Sequence, residues 1–172
     1  MPPVANIVIR KATSDDARSV LEMLRELEGE PNLNSAPGEM DISEEKERAF
    51  LQKMSDSADH AFFVALVDNA IVGSLGVHSP PRLALRHSAN LGMSVRGNWR
   101  NQGIGSALLQ RSIEWARMRQ VARLSLTVYA RNRDAIRFYE RFGFEIEGHH
   151  PRMFCKNGEY LEGLTMGLLL DS

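Results

Sequence analysis

A strand pattern that runs through a glycine turn into a helix pattern constrains this chain more than any other feature. In residues 90–109, Leu91, Met93 and Val95 alternate with small or polar residues, as expected for a half-buried strand. Ile104 and Leu108 then resume the apolar pattern at helical spacing. The chain must therefore turn from a sheet into a helix between them, which predicts a mixed α/β fold around this turn.

The turn itself has the composition of an anion site. Gly103 and Gly105 remove side chains where the helix begins, so a bound group can approach the first N–H groups, and Arg100 adds a positive charge. A Walker loop would end in a lysine, which is missing here. A dinucleotide-binding turn would have a small residue at Leu108. The stretch therefore predicts a phosphate or pyrophosphate site and argues against ATP, GTP or NAD.

The spacing from Arg100 to Gly105, Arg-x-x-Gly-x-Gly, resembles the acyl-CoA loop of the GNAT superfamily of N-acetyltransferases. A strand pattern at residues 124–130 and a helix pattern at residues 132–144 resemble the second signature of that family. The tail, residues 149–166, resembles the branch that contains spermidine, ribosomal-protein N-terminal and amino-acid acetyltransferases. The resemblance covers nearly the whole chain and implies an acetyl-CoA-dependent N-acetyltransferase.

The order of apolar patterns along the chain, βααβββαβαββ, agrees with that resemblance. It implies an α+β fold of the GNAT type, with a central, mostly antiparallel twisted sheet of about seven strands, a splayed strand pair and about four flanking helices. The chain has the length of one domain, which we assign to residues 1–172. Near the C-terminus, two short strands are predicted at residues 144–147 and 153–156, followed by a turn at Asn157–Gly158 and a strand at residues 160–170.

The resemblance also implies which residues bind acetyl-CoA. The turn would bind the pyrophosphate, the preceding strand would bind the pantetheine arm and polarise the thioester carbonyl, and the N-cap of the later helix would contact the arm. The coenzyme-binding residues predicted in this way are Met93, Ser94, Val95, Arg100, Gln102, Gly103, Ile104, Gly105, Ser106 and Asn132. Asn132 also has the simpler role of capping its own helix.

Acetyl transfer to an amine moves two protons. Tyr139 stands where the family places the general acid that protonates the leaving thiolate, although it also lies on the apolar face of its helix. Many relatives have a glutamate base on the strand before the turn, and this chain has none between Ala84 and Val95. His87 is the nearest candidate base, and deprotonation through ordered water or by Glu28 or Glu30 stays open.

Charge is unevenly distributed along the chain. Residues 14–60 contain 13 acidic and 5 basic residues, a net charge of −8, whereas residues 96–141 contain ten arginines and three acidic residues, a net charge of +7. The basic half suits the phosphates of coenzyme A, and the acidic half favours a small cationic amine as acceptor, with a peptide N-terminus as another possibility. We therefore expect the acidic segment to border the acceptor site and assign acceptor contacts to Glu28 and Glu30.

Other function classes are less well supported by the sequence. A non-catalytic acyl-CoA-binding sensor or interaction module is the main alternative, and nucleic-acid binding is disfavoured by a net charge of −1. His149 and His150 are adjacent and no cluster has ligand spacing, so we expect no metal. A single Cys155, and no apolar run that could span a membrane, favour a cytoplasmic protein. By analogy with the family, the C-terminal hairpin could pair two subunits in a homodimer.

Overall fold

The computed structural model describes residues 6–35 and 38–171 and consists of seven strands and four helices around one sheet. Residues 1–5, 36, 37 and 172 of the predicted domain lie outside the described residues. In chain order the elements are β1 (Val8–Lys11), α1 (Ala17–Leu27), α2 (Glu44–Asp56), β2 (His60–Val67), β3 (Ala70–His78), β4 (Ser88–Val95), α3 (Ile104–Met118), β5 (Arg123–Tyr129), α4 (Arg133–Arg141), β6 (Glu145–Lys156) and β7 (Glu159–Leu169).

The sheet has the strand order β1-β2-β3-β4-β5-β7-β6. All neighbouring strands are antiparallel except β4 and β5, which are parallel. Along β2, Phe63 and Ala65 belong to one buried apolar cluster and Val64 to another, because successive side chains point to opposite faces. Helices α1 and α2 cover the face of Val64, and α3 and α4 cover the other. The predicted α+β fold, with seven strands and four helices, is confirmed.

Local sequence signals explain where the helices begin. The main-chain N–H of Thr13 donates to the Asp16 carboxylate over 2.8 Å, which closes a capping box ahead of α1. The Ser43 hydroxyl accepts from the N–H of Lys46 at the start of α2, and the Asn132 side chain accepts from the N–H of Ala135 at the start of α4. These contacts fix the ends of three of the four helices.

The feature that matters most for a site is the separation of β4 from β5. These two strands pair only through Ser88–Asn90 and Arg123–Ser125. Beyond that point β4 continues to pair with β3, and β5 continues to pair with β7. The C-terminal half of β4 therefore presents one edge that no strand covers.

One sequence prediction was wrong in detail. The two short strands predicted at residues 144–147 and 153–156 are a single strand, β6, with register shifts at Ile146/Gly148 and His150/Phe154. Pro151 and Arg152, the latter with φ of 58°, fall in the second shift and made the pattern look interrupted. β6 lies at one edge of the sheet, and an edge strand tolerates a proline because its outer N–H groups need no partner.

Candidate active site

A cleft of about 930 Å³ opens beside the C-terminal half of β4. One side of it, which we call the helix wall, is formed by the end of β4, the start of α3 and one face of α4. The opposite side, which we call the loop wall, is formed by Leu27, Glu30, Asn32 and Leu33 at the end of α1 and in the loop that follows. The two walls bring together residues that are distant in the sequence.

The uncovered edge of β4 supplies main-chain hydrogen-bond donors to the cleft. The N–H of Arg96 donates to Val72 on β3, whereas the carbonyls of His87 and Val95 accept from partners on the other side. Because antiparallel pairing alternates, the N–H groups of Met93 and Val95 point away from β3 and toward the gap. Two such donors beside a cleft can polarise a carbonyl group. Ser94 lines the cleft, but its main-chain N–H points to β3.

The start of α3 is one part of the helix wall. Gly103 is the N-cap and has φ of 85°, a conformation that glycine adopts without strain. The N–H groups of Ile104, Gly105 and Ser106 have no acceptor within the helix, because they belong to its first turn. Free N–H groups at the positive end of a helix dipole attract an anion. This part of the cleft therefore fits a phosphate or pyrophosphate.

Gly105 leaves space in the cleft beside the start of α3. A Cβ at position 105 would lie 3.4 Å from Met93 Cε and 3.5 Å from Phe138 Cζ, which is ordinary van der Waals contact. The fold would accept an alanine there, but any longer side chain would extend into the cleft. The two glycines thus have different roles. Gly103 is needed for its positive φ, and Gly105 is needed because a longer side chain would occupy the cleft.

Two ion pairs join the basic turn to the acidic α1 segment. Arg100 Nη2 lies 2.5 Å from Glu30 Oε2, and Arg100 Nε donates to the Val95 carbonyl over 3.0 Å. Arg96 Nη1 lies 2.7 Å from Glu26 Oε2. The acidic surplus of the first half and the basic surplus of the second are therefore partly neutralised across this boundary.

Tyr139 lines the cleft from α4 and is 7% exposed. Its ring packs edge-on against Phe138 and Phe144, with centroids 5.1 and 5.5 Å away. Burial raises the pKa of the Tyr139 hydroxyl well above its ordinary value near 10, because the phenolate would lose its hydration. The group therefore stays protonated throughout the neutral range and can donate a hydrogen bond to a negative atom in the cleft.

The structure brings most of the sequence-predicted site residues to the cleft. Among the predicted binding residues, those that line it are Met93, Ser94, Val95, Arg100, Gly103, Gly105, Ser106, Asn132 and Glu30. The side chains of two others point elsewhere. Gln102 is exposed and donates to the Asn98 carbonyl, and Ile104 is buried in the core, so Ile104 can contribute only its main chain.

His87 and Glu28 do not line the cleft. His87 is exposed just before β4 begins, whereas the cleft lies at the other end of that strand. Over eight strand residues this places it about 25 Å from Val95. Glu28 accepts a hydrogen bond from the main-chain N–H of Gly38, so it closes the α1–α2 loop on itself. Glu30 is the predicted carboxylate that reaches the cleft.

One face of α4 lines the cleft but was not predicted from the sequence. Asp134, Arg137, Phe138 and Arg141 all line the cleft, and they follow the i, i+3, i+4, i+7 spacing of one helix face. The guanidinium of Arg141 lies 5.8 Å from the Phe138 ring centroid. The same spacing applied to polar residues, and not only to apolar ones, would have found this face.

Residues 6–35 and 38–171 contain neither a candidate metal site nor a candidate membrane-spanning helix. No group of three or more His, Cys, Asp or Glu side chains among them could hold a metal ion. Within the same ranges, no helix has the length and apolar content needed to cross a membrane.

Known proteins are similar to this chain in sequence and in fold. Residues 21–144 match the acetyltransferase (GNAT) family. The chain is 30% identical over 167 residues to an L-amino acid N-acetyltransferase of Escherichia coli (strain K12), and the alignment covers 95% of this chain and 98% of that protein.

Two solved structures share the fold. A GNAT-family acetyltransferase from Streptococcus pneumoniae superimposes with a TM-score of 0.91 at 30% identity, covering 96% of this chain and 100% of the other. A ribosomal-protein-alanine N-acetyltransferase from Brucella melitensis gives a TM-score of 0.85 at 29% identity, with 95% and 99% covered. The strand separation, the glycine turn at the start of α3 and the family match over residues 21–144 lead to one conclusion: the chain is a member of the GNAT family of acetyltransferases.

Proposed function

We propose that this N-acetyltransferase transfers the acetyl group of acetyl-CoA directly to the primary amine of a small L-amino acid while both substrates are bound. The observation that carries the proposal is the cleft itself, which has main-chain donors on one side and a loop with a carboxylate on the other. In the reaction the amine nitrogen forms a bond to the acetyl carbon, the carbon–sulfur bond breaks, nitrogen loses a proton and sulfur gains one.

The helix wall is proposed to bind acetyl-CoA. The N–H groups at the start of α3 and the Arg100 guanidinium suit its pyrophosphate. The N–H groups of Met93 and Val95 suit the pantetheine arm and the thioester oxygen, where negative charge develops during transfer. Asn132 has its side chain engaged in capping α4, so its contribution to the coenzyme site is mainly to fix the start of that helix.

Tyr139 is proposed to assist the leaving sulfur. Its hydroxyl stays protonated at neutral pH and lines the cleft. A protonated phenol can donate a hydrogen bond to the sulfur as negative charge builds there, and can pass on a proton that the nitrogen releases. Because Tyr139 retains its proton above pH 10, it should not cause an alkaline loss of activity below that pH.

The acceptor proposed here differs from the cationic amine that charge counting favoured. Glu26 and Glu30 are bound to arginines, so the α1 segment offers less uncompensated negative charge than its sequence suggests. The Escherichia coli relative is named for L-amino acids. Both observations support an acceptor that carries a carboxylate beside its amine. A polyamine, an aminoglycoside or a peptide N-terminus is then expected to be a poorer substrate.

For the base, we propose ordered water beside Glu30. Glu30 lines the cleft and can orient the acceptor ammonium, but its carboxylate is also held by Arg100. His87 and Glu28 do not line the cleft, so we assign them no part in proton transfer.

The experiment is an initial-rate assay of thiol release from acetyl-CoA against neutral and acidic L-amino acids, polyamines, aminoglycosides and N-terminal peptides. We expect turnover on L-amino acids, and a loss of roughly 100-fold in kcat for Tyr139→Phe with little change in the KM for acetyl-CoA. Tyr160→Phe is the matched control, because Tyr160 is 64% exposed on β7.

Preference for polyamines would overturn the proposed acceptor and restore the cationic amine. Tight binding of acetyl-CoA with no turnover on any acceptor would overturn catalysis and favour a coenzyme-binding sensor.

A homodimer paired through the β6–β7 hairpin is proposed as the assembly. Exposed apolar side chains on this hairpin support it: Ile146, Met153 and Leu169. Sedimentation of the wild type and of Leu169→Lys should show a dimer and a monomer, and a wild-type monomer would contradict the proposal.

A further inference from the structure

The first part of the α1–α2 loop, residues 28–35, is held by a buried lysine that comes from the far end of the chain. Lys156 is the last residue of β6 and is 8% exposed. Its ammonium donates to the Glu30 carbonyl over 2.6 Å and to the Leu33 carbonyl over 3.3 Å. Both of these loop residues line the cleft.

Further donors bind the same loop from β5 and its end. Arg131 Nη2 donates to the Pro31 carbonyl over 2.7 Å, and the Tyr129 hydroxyl donates to the Leu33 carbonyl over 3.2 Å. In return, Asn34 Nδ2 donates to the Thr127 carbonyl over 3.2 Å. The carbonyls of residues 30, 31 and 33 are thus all taken by side chains from one direction.

The side chains of Tyr129 and Arg131 also pack against aromatic rings. The Tyr129 ring lies 4.3 Å from the Phe154 ring, and the Arg131 guanidinium lies 5.3 Å from the Tyr129 ring centroid. The stacked groups restrict the rotamers of Tyr129 and Arg131, so their polar ends have little freedom. The loop is therefore tied to a rigid part of the sheet.

The use of a lysine here is costly. Its ammonium donates to two neutral carbonyl oxygens, which compensate a charge removed from water less fully than a carboxylate does. Burying a charge in this way is unfavourable unless strong hydrogen bonds satisfy it. The two carbonyl contacts therefore have to be maintained for the charge to be tolerated at this position.

We propose that Lys156 is a positioning residue for acetyl transfer: it sets the place of Glu30 and Leu33 in the loop wall, and so the geometry of the acceptor site. The proposal rests on the proposed function for the assignment of the loop wall to the acceptor. Because Lys156 binds carbonyl groups, it fixes the path of the loop independently of the loop's side chains. It does not touch the helix wall, so coenzyme binding should depend on it only weakly, through the ion pair of Glu30 with Arg100.

The test compares Lys156→Met with Lys156→Arg, and with Lys53→Met as a matched control at an exposed position on α2. Lys156→Met should raise the KM for the L-amino acid about tenfold, since a charged hydrogen-bond donor is lost. The dissociation constant for acetyl-CoA should stay within about twofold. Lys156→Arg, which keeps the donors, should recover much of the acceptor KM, and Lys53→Met should match the wild type.

Hydrogen exchange of the amides in residues 28–35 provides a readout that needs no turnover. We expect faster exchange there in Lys156→Met, with exchange at the start of α3 unchanged. If the wild type proves inactive, the proposed function fails while the exchange still tests the positioning role. Unchanged exchange and unchanged acceptor KM would overturn the proposal, as would an equal loss of coenzyme affinity. If Lys156→Met does not fold, Tyr129→Phe removes one donor and should give a smaller effect of the same kind.

Discussion

The two walls of the cleft are built by different means. The helix wall offers main-chain N–H groups from a strand edge and a helix start, which regular structure holds in place. The loop wall is irregular chain, held by side chains of residues 129, 131 and 156 that bind its carbonyl groups. The wall proposed for the coenzyme should therefore be insensitive to most side-chain changes, whereas the wall proposed for the acceptor can be altered by a single substitution far away in the sequence.

The largest effect is expected from filling the helix wall. Gly105→Val should lower the affinity for acetyl-CoA by more than about 100-fold, because the added methyl groups occupy the space above the N–H groups at the start of α3. A Cβ at position 105 makes only ordinary contacts, so Gly105→Ala should fold normally, and thermal unfolding of Gly105→Val beside it checks that the valine variant is folded. Isothermal titration calorimetry measures the loss.

Gln110→Val, at an exposed position on α3, controls for a β-branched residue in the same helix. Near-normal affinity in Gly105→Val would mean that the coenzyme does not lie on the helix wall.

A smaller effect concerns the helix that leads into the loop wall. Arg10 and Thr13 hold the pKa of the Asp16 carboxyl below its ordinary value by hydrogen bonding to it. A lowered folded-state pKa stabilises the protein above the unfolded value near 4, and this stabilisation is lost as the pH falls through the folded value. Asp16→Asn should therefore lower the free energy of unfolding by about 1–3 kcal/mol at pH 7. Urea denaturation at several pH values should show the difference between variant and wild type shrinking below about pH 4. A difference that grew on acidification would contradict this assignment.

A still smaller effect is expected from breaking the ion pair between Glu30 and Arg100, which joins the two walls. Glu30→Gln should raise the affinity for acetyl-CoA by roughly two- to fivefold, because an exposed ion pair with Arg100 is worth less than about 1 kcal/mol and its removal frees Arg100 for phosphate. Glu26→Gln breaks the matched pair with Arg96 outside the cleft and should leave the affinity unchanged. Weaker coenzyme binding by Glu30→Gln would show that Glu30 positions Arg100 instead of competing for it.

No effect is expected at His87. His87→Ala should leave kcat, both KM values and the pH profile within about twofold of the wild type, because this side chain is exposed and does not line the cleft. A large loss of kcat in this variant, with acetyl-CoA binding intact, would reinstate His87 as the base.

The helix wall was largely predictable from the sequence, because its determinants are local. Alternation through Leu91, Met93 and Val95, followed by Gly103 at the helix start, encodes a strand, a turn and a helix in one stretch. Of the loop wall, only Glu30 was predicted, and the contacts that hold the loop in place were not predictable. Lys156 binds carbonyls 126 and 123 positions away, and such contacts leave no periodicity or composition signal. The continuity of β6 was missed for a related reason, since tertiary pairing with β7 tolerates the bulge at Pro151 and Arg152.

The measurement that tests the separation of the two walls most directly is calorimetric titration of acetyl-CoA into the wild type, Gly105→Val and Lys156→Met under one set of conditions. The account predicts that Gly105→Val loses binding and that Lys156→Met binds within about twofold of the wild type. Equal losses in the two variants would contradict it, because the loop wall would then belong to the coenzyme site.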